Sequence, residues 1–299
     1  MSKQHRLTKT QIDTVIQQYE SGVSTTKLAE IMGISAPAIW GLLKRRGVVI
    51  RDASERVRKH SVNHAAFDDL TSEALYWVGF IFADGNVGYR QSGSPSLTIR
   101  LSCVDKNHLV KFSKFLKSSH KIFDVPPSPS SYKGTVTGCQ FSVRSKTICD
   151  RLVELGWAKN LKSTLTPALK GSRDFWRGVI DGDGSITFSK KSPRVSLVGS
   201  MEICNGFAEF IKKETGYICK IEPHKNIFAT RINNGTFAAK AIRLLYSNSV
   251  CSLDRKQSLA DKWGAWKPLT PSQQGELRRK AWKRKKEANA AFVIALAPN

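Results

Sequence analysis

The chain has 299 residues, 40% of them apolar, enough for two or three compact domains around a real hydrophobic core. Forty-eight lysines and arginines against 24 acids leave a formal charge of +24, which points to a nucleic-acid partner ahead of an anionic membrane surface. No apolar run approaches the roughly 18 residues of a membrane span, the first residues lack an apolar signal core, and the six cysteines form no C-x-x-C pair for zinc; a soluble, intracellular protein without a membrane partner is expected.

Residues 1–50 read as an all-α module of three short helices. Ile12, Val15, Ile16 and Tyr19 recur at helical spacing in the first. In "STTKLAEIMGISAPAIWGLLKRRG", Ser24 or Thr25 caps the second helix, Gly33 makes the turn, Ser35 caps the third with Pro37 in its first turn, and Gly47 ends it. The pattern resembles a helix-turn-helix whose third helix would enter the major groove, with Lys44, Arg45 and Arg46 on phosphates. Ala38, Trp40 and Gly41 offer little to base edges, so this module adds affinity more than discrimination. Residues 51–70 read as a basic linker.

"TSEALYWVGFIFADGNV" (71–87) opens a second kind of element. A capping hydroxyl and an acid start an apolar helix that ends in Asp-Gly, with Gly79 and Ala83 four residues apart. The alternating strand "SLTIRLS" (96–102), a helix with Leu109, Phe112, Phe115 and Leu116 inward, the strand "TGCQFSVRS" (137–145) and the helix "TICDRLVELGW" follow. "GSRDFWRGVIDGDGSI" (171–186) then repeats the opening element with Gly178 and Gly182, and strands and helices repeat behind it. Each half reads α-ββ-α-ββ-α, over residues 71–166 and 167–268. The fold class is α+β.

Small residues at i and i+4 share one helix face and let two backbones approach closely. If the two helices pack on each other, Asp84 and Asp183 meet at their C-terminal ends. Two carboxylates there repel one another and the helix dipoles, and stay ionised only around a cation; a hard divalent ion of the Mg²⁺ kind fits oxygen ligands and phosphate chemistry. Outward side chains of the alternating strands, Thr98, Arg100, Gln140, Arg144, Lys190, Arg194, Lys220 and Arg231, are the candidate contacts to a duplex.

"WVGFIFADG" (77–85) and "WRGVIDGDG" (176–184) resemble the two motifs of a single-chain, two-motif LAGLIDADG homing endonuclease, over about residues 70–268. The resemblance implies two pseudosymmetric LAGLIDADG subdomains, each with a saddle-shaped antiparallel sheet, and a monomer bound to a long asymmetric duplex site. It implies Mg²⁺, with Mn²⁺ as a substitute, held by Asp84, Asp183 and the backbone carbonyls of Ala83 and Gly182. It implies a basic residue near each scissile phosphate; "NLKSTL" (160–165) and "DRKQSL" (254–259) offer Lys162 and Lys256 at matching places. The implied activity is site-specific cleavage of both strands with staggered 3′ overhangs. Phe82 stands where the family has its earlier acid, a position that is not usually the metal ligand. The alternatives are a DNA-binding regulator without catalysis and an RNA maturase that assists intron splicing. Residues 269–299 form a basic tail around Trp282, either a solvated segment or an appended phosphate-gripping helix.

Overall fold

The structure is a computed structural model that describes residues 7–50, 60–89, 94–126, 137–189 and 191–268, with scattered positions between 270 and 287. Lys190, residues 51–59 of the linker and most of the basic tail lie outside the described residues. The chain divides between Ser61 and Val62 into two compact units.

The small unit holds α1 (Lys9–Glu20), α2 (Thr25–Met32) and α3 (Ala36–Arg45). Ser24 and Ser35 accept from the backbone N–H groups of Lys27 and Ala38, satisfying donors the helix cannot satisfy itself. Gly33 sits at φ 65°, the left-handed region where a Cβ is penalised. Val15, Tyr19, Leu28, Ile39 and Leu43 form the core. Lys44, Arg45 and Arg46 are exposed, and the Lys44 ammonium stands 5.0 Å from the centre of the Trp40 ring.

The large unit is built twice. The first half runs α4 (Ser72–Asp84), β1 (Gly85–Gly88), β2 (Ser96–Ser102), α5 (Lys106–Phe115), β3 (Phe123–Val125), β4 (Gly138–Arg144) and α6 (Lys146–Glu154). After one short turn of helix, α7 (Pro167–Lys170), the second half runs α8 (Arg173–Asp183), β5 (Gly184–Ser189), β6 (Ser192–Gly199), α9 (Met201–Thr215), β7 (Lys220–His224), β8 (Ile227–Ile232) and α10 (Gly235–Tyr246), followed by α11 (Asp254–Gly264). Each half carries one four-stranded antiparallel sheet, ordered β1-β2-β4-β3 and β5-β6-β8-β7. The expected α+β class with two matching αββαββα halves is the observed one. Among the described residues no helix is long and apolar enough to cross a membrane.

Alternation decides the faces of the sheets. Leu97, Ile99, Phe141, Val143, Val195 and Leu197 are buried, while the residues between them reach solvent or half-buried positions. The helices cover the buried faces. Trp77, Phe80, Phe112, Trp176 and Phe207 join both halves into one continuous core. Both motif helices run without a loop into the first strand of their sheet, so Asp84 and Asp183 each stand at a helix–strand junction.

Candidate metal centre and nucleic-acid face

Helices α4 and α8 cross face to face, and the small residues are the reason they can. A Cβ on Gly79 would stand 2.0 Å from the Phe175 carbonyl oxygen, and one on Gly178 would stand 2.1 Å from that of Tyr76. At the C-terminal end a Cβ on Gly182 would meet the Ala83 Cβ at 2.3 Å and the Asp84 Oδ2 at 3.2 Å. No side chain larger than hydrogen fits at the two central positions without moving backbone. The four predicted interface residues, Gly79, Ala83, Gly178 and Gly182, all lie in this crossing.

The crossing delivers Asp84 and Asp183 to one place. Loss of solvation first, and the Asp84 charge with it, raise the Asp183 carboxyl to about 7 against the opposing pull of the Lys256 ammonium. Asp84 is raised by burial, with Lys256 and Arg255 pulling it down and Asp105 pushing it up. Both side chains still reach water, which moderates the repulsion. Among the described residues no three Asp, Glu, His or Cys side chains converge as a metal cluster. A cation here would therefore use the two carboxylates, backbone carbonyls and water, a hard oxygen set that suits Mg²⁺.

The two lysines at matching sequence positions have different surroundings. Lys256, in the first turn of α11, is buried, and its ammonium donates to the carbonyls of Ile180, Asp181 and Gly184 at 2.5, 2.7 and 2.7 Å. It is the positive group at the end of α8, where the last carbonyls of a helix lack partners and the dipole is negative. Burial lowers it to about 8, against the pull of Asp181, Asp84 and Asp183. Its bonds leave the Gly182 carbonyl untouched. Lys162 is exposed on the turn after α6. Lys159, not Lys162, lines the cavity of about 200 Å³ that opens beside Asp183 and is walled by Phe82, Ala83, Trp157, Leu161 and Ile203. Matching places in the two segments did not give equal surroundings, because Lys256 lies on a helix and Lys162 on a turn.

A buried polar hub behind the acids was not foreseen. Asp181, fully enclosed, accepts from Tyr76 Oη at 2.8 Å, Tyr246 Oη at 2.6 Å and the Leu253 N–H at 2.7 Å. Enclosure raises its carboxyl even so, the three donors and Lys256 acting against it. Tyr76 Oη also lies 2.9 Å from His108 Nε2. Arg177, fully buried, donates to the carbonyls of Cys251 at 2.7 Å and Leu245 at 3.0 Å and pairs with Asp174 at 2.7 Å. These groups fasten α8 to the segment 245–253 that leads into α11, and so place Lys256. The sequence signal was the charge inside an apolar helix: Arg177 and Asp181 had to find buried partners. In the first motif Phe82 takes the place of Asp181 and packs against the Phe175 ring, 5.5 Å between centres.

The candidate DNA contacts other than Lys190 stand on the faces the helices leave open. Thr98 Oγ1 lies 2.8 Å from Ser142 Oγ, to which Gln140 Nε2 donates at 3.2 Å. Arg100 stands opposite Gln140, and exposed Arg144 opposite Ser96. On the second sheet Arg194 stands opposite Thr187 with its Nε buried and without a partner among the described residues. Lys220 stands opposite Arg231, whose guanidinium is already paired with Glu222 at 2.8 Å.

No protein-family model matches the chain, and none of the curated proteins does. Solved structures do. The crystal structure of the N-terminal LAGLIDADG domain of DUF199/WhiA shares 15% identity over 66% of this chain and 94% of that one, with a TM-score of 0.40. I-DmoI in complex with DNA and Ca shares 15% over 67% and 99%, with a TM-score of 0.45. The homing endonuclease I-WcaI bound to its DNA recognition sequence shares 14% over 78% and 97%, with a TM-score of 0.44. At such values the likeness stands beside the geometry described above and adds nothing to it.

Proposed function

We propose that the chain is a metal-dependent DNA endonuclease that cuts both strands of a specific duplex, as the resemblance of its two motifs implies. The observation that carries this reading is the helix crossing that sets Asp84 and Asp183 side by side, between two sheets with open polar faces in a protein of charge +24. Asp84, Asp183 and the carbonyls of Ala83 and Gly182 would hold Mg²⁺ or, as a substitute, Mn²⁺. When bound, such an ion supplies Lewis-acid charge to phosphate oxygens. Lys256 holds the end of α8 so that the acids keep their places. Thr98, Arg100, Gln140, Arg144, Lys190, Arg194, Lys220 and Arg231 read or grip a long asymmetric site, and Lys162 adds positive charge nearby. Residues 1–50 act as a helix-turn-helix clamp through Lys44, Arg45 and Arg46, joined by the linker 51–70 to subdomains 71–166 and 167–268, and the tail 269–299 adds basic charge. Because the twofold relation is internal, one copy suffices.

The test is Mg²⁺-dependent cleavage of the duplex that joins the two sequences flanking the open reading frame. Wild type is expected to leave staggered 3′ overhangs. Asp84→Asn and Asp183→Asn are expected to bind the duplex and leave at least one strand whole. Binding by wild type with no cut in Mg²⁺ or Mn²⁺ overturns the reading.

A further inference from the structure

The two ends of the centre differ in a way that repeated architecture makes easy to see. Gly85 pairs with Ile99 and Gly184 with Leu197, so residues six further on, Asp105 and Ile203, occupy matching places beside the two junctions. The segments "NLKSTL" and "DRKQSL" likewise match Leu161 with Arg255. On one side the matched residues form an ion pair: Arg255 Nε lies 3.2 and 3.1 Å from the two oxygens of Asp105. On the other side Leu161 and Ile203 form no such pair and line the cavity that opens beside Asp183, whose wall also carries Lys159.

The ion pair has the form of an aimed fork. Asp105 stands at the N-terminus of α5, where the dipole favours its charge, and its side chain is only 13% exposed. Arg255 is 52% exposed. Asp105 engages the Nε edge alone, and among the described residues neither terminal nitrogen of Arg255 has an acceptor. The first turn of α11 is itself fastened to α5, because Asp254 accepts from Asn107 at 2.9 Å and from Lys111. A planar guanidinium held at one edge presents its remaining donors to a phosphate in a fixed direction. The charge of Arg255 acts on Asp84, whereas the charges acting on Asp183 are those of Asp84 and Lys256.

We propose that Arg255, aimed by Asp105, grips a phosphate at the Asp84 end of the centre, and that the apolar Leu161 and Ile203 at the Asp183 end make the two strands unequal, the gripped strand being cut first. The cutting order rests on the nuclease reading; the phosphate grip does not.

The test uses the full chain and a duplex selected for binding from a random pool. In metal-free buffer, backbone phosphates are neutralised one at a time as methylphosphonates on each strand. Wild type is expected to lose affinity by about tenfold or more at one phosphate on one strand, the loss of a charge-assisted hydrogen bond, and not at its twofold-related counterpart. Arg255→Gln is expected to erase that sensitivity. Asp105→Asn should weaken it, and Asp105→Glu should restore part of it. With Mg²⁺ and each strand end-labelled, Arg255→Gln is expected to slow the leading strand by about 100-fold and the lagging strand by much less. Sensitivity that is equal on both strands, or unchanged in Arg255→Gln, overturns the grip. Equal cutting rates in wild type, or equal slowing of both strands, overturn the order. A one-sided phosphate effect with no cutting by wild type keeps the grip and sinks the nuclease reading instead.

Discussion

Gly178→Ala tests the helix crossing on which the centre depends. The new Cβ would stand 2.1 Å from the Tyr76 carbonyl oxygen and 2.6 Å from the Phe80 backbone nitrogen. Ordinary contact needs about 3.4 Å, so α4 and α8 must part by roughly 1.3 Å. A gap of about 1 Å forfeits up to half the dispersion energy of each contact across it. The side chains that lose it are large and buried: Tyr76, Trp77, Phe80, Phe175 and Trp176. Unpacking on this scale costs about 4 kcal/mol, from which a gain in helix propensity of about 1 kcal/mol is subtracted. The net loss is about 3 kcal/mol, and the urea midpoint of the large unit should fall by about 1 M. Gly41→Ala is the control. It makes the same chemical change inside a helix, but its Cβ meets only the end of the Arg45 side chain, at 3.5 Å. It should stabilise the small unit by about 0.5–1 kcal/mol. Equilibrium unfolding followed by tryptophan fluorescence and far-ultraviolet dichroism reads both. A Gly178→Ala protein that unfolds at the wild-type midpoint would refute the claim that close backbone approach holds the two halves together.

Asp181→Asn should destabilise the large unit by about 3 kcal/mol, because an amide turns a donor toward Tyr76, Tyr246 or the Leu253 N–H. By contrast, Asp84→Asn in metal-free protein should leave stability equal or higher and let the Asp183 carboxyl fall below its present value of about 7; carboxyl-labelled NMR titration decides this. His108 is held neutral at about 3 by burial, against about 6.5 in an unfolded chain. Below pH 6.5 the unfolded chain takes a proton that the folded one refuses, so this contribution is whole above pH 6.5 and declines toward pH 3. Between pH 6.5 and 5 the loss is about 2 kcal/mol, and His108→Gln should lack it; denaturant titrations of both proteins at the two pH values provide the comparison.

Local patterns in the sequence carried much of this architecture. Alternation along residues 96–102 and 137–145 told which side chains face the core, because a strand has a period of two whatever surrounds it. The capping residues Ser24, Ser35, Thr71 and Ser172 told where helices begin, because their partners lie three residues away. The repeated pair of small residues before Asp-Gly told that two helices meet, because close approach excludes larger side chains. What lay beyond the sequence were contacts between segments far apart in the chain. Lys162 and Lys256 hold the same place in "NLKSTL" and "DRKQSL", yet only tertiary packing sets one in solvent and the other against the carbonyls of α8. The same holds for Asp181, whose three donors come from residues 76, 246 and 253, and for Arg255, which meets Asp105 at a separation of 150 residues. Periodicity assigns a side chain to a face; its partner is decided by which other surface the fold brings against that face.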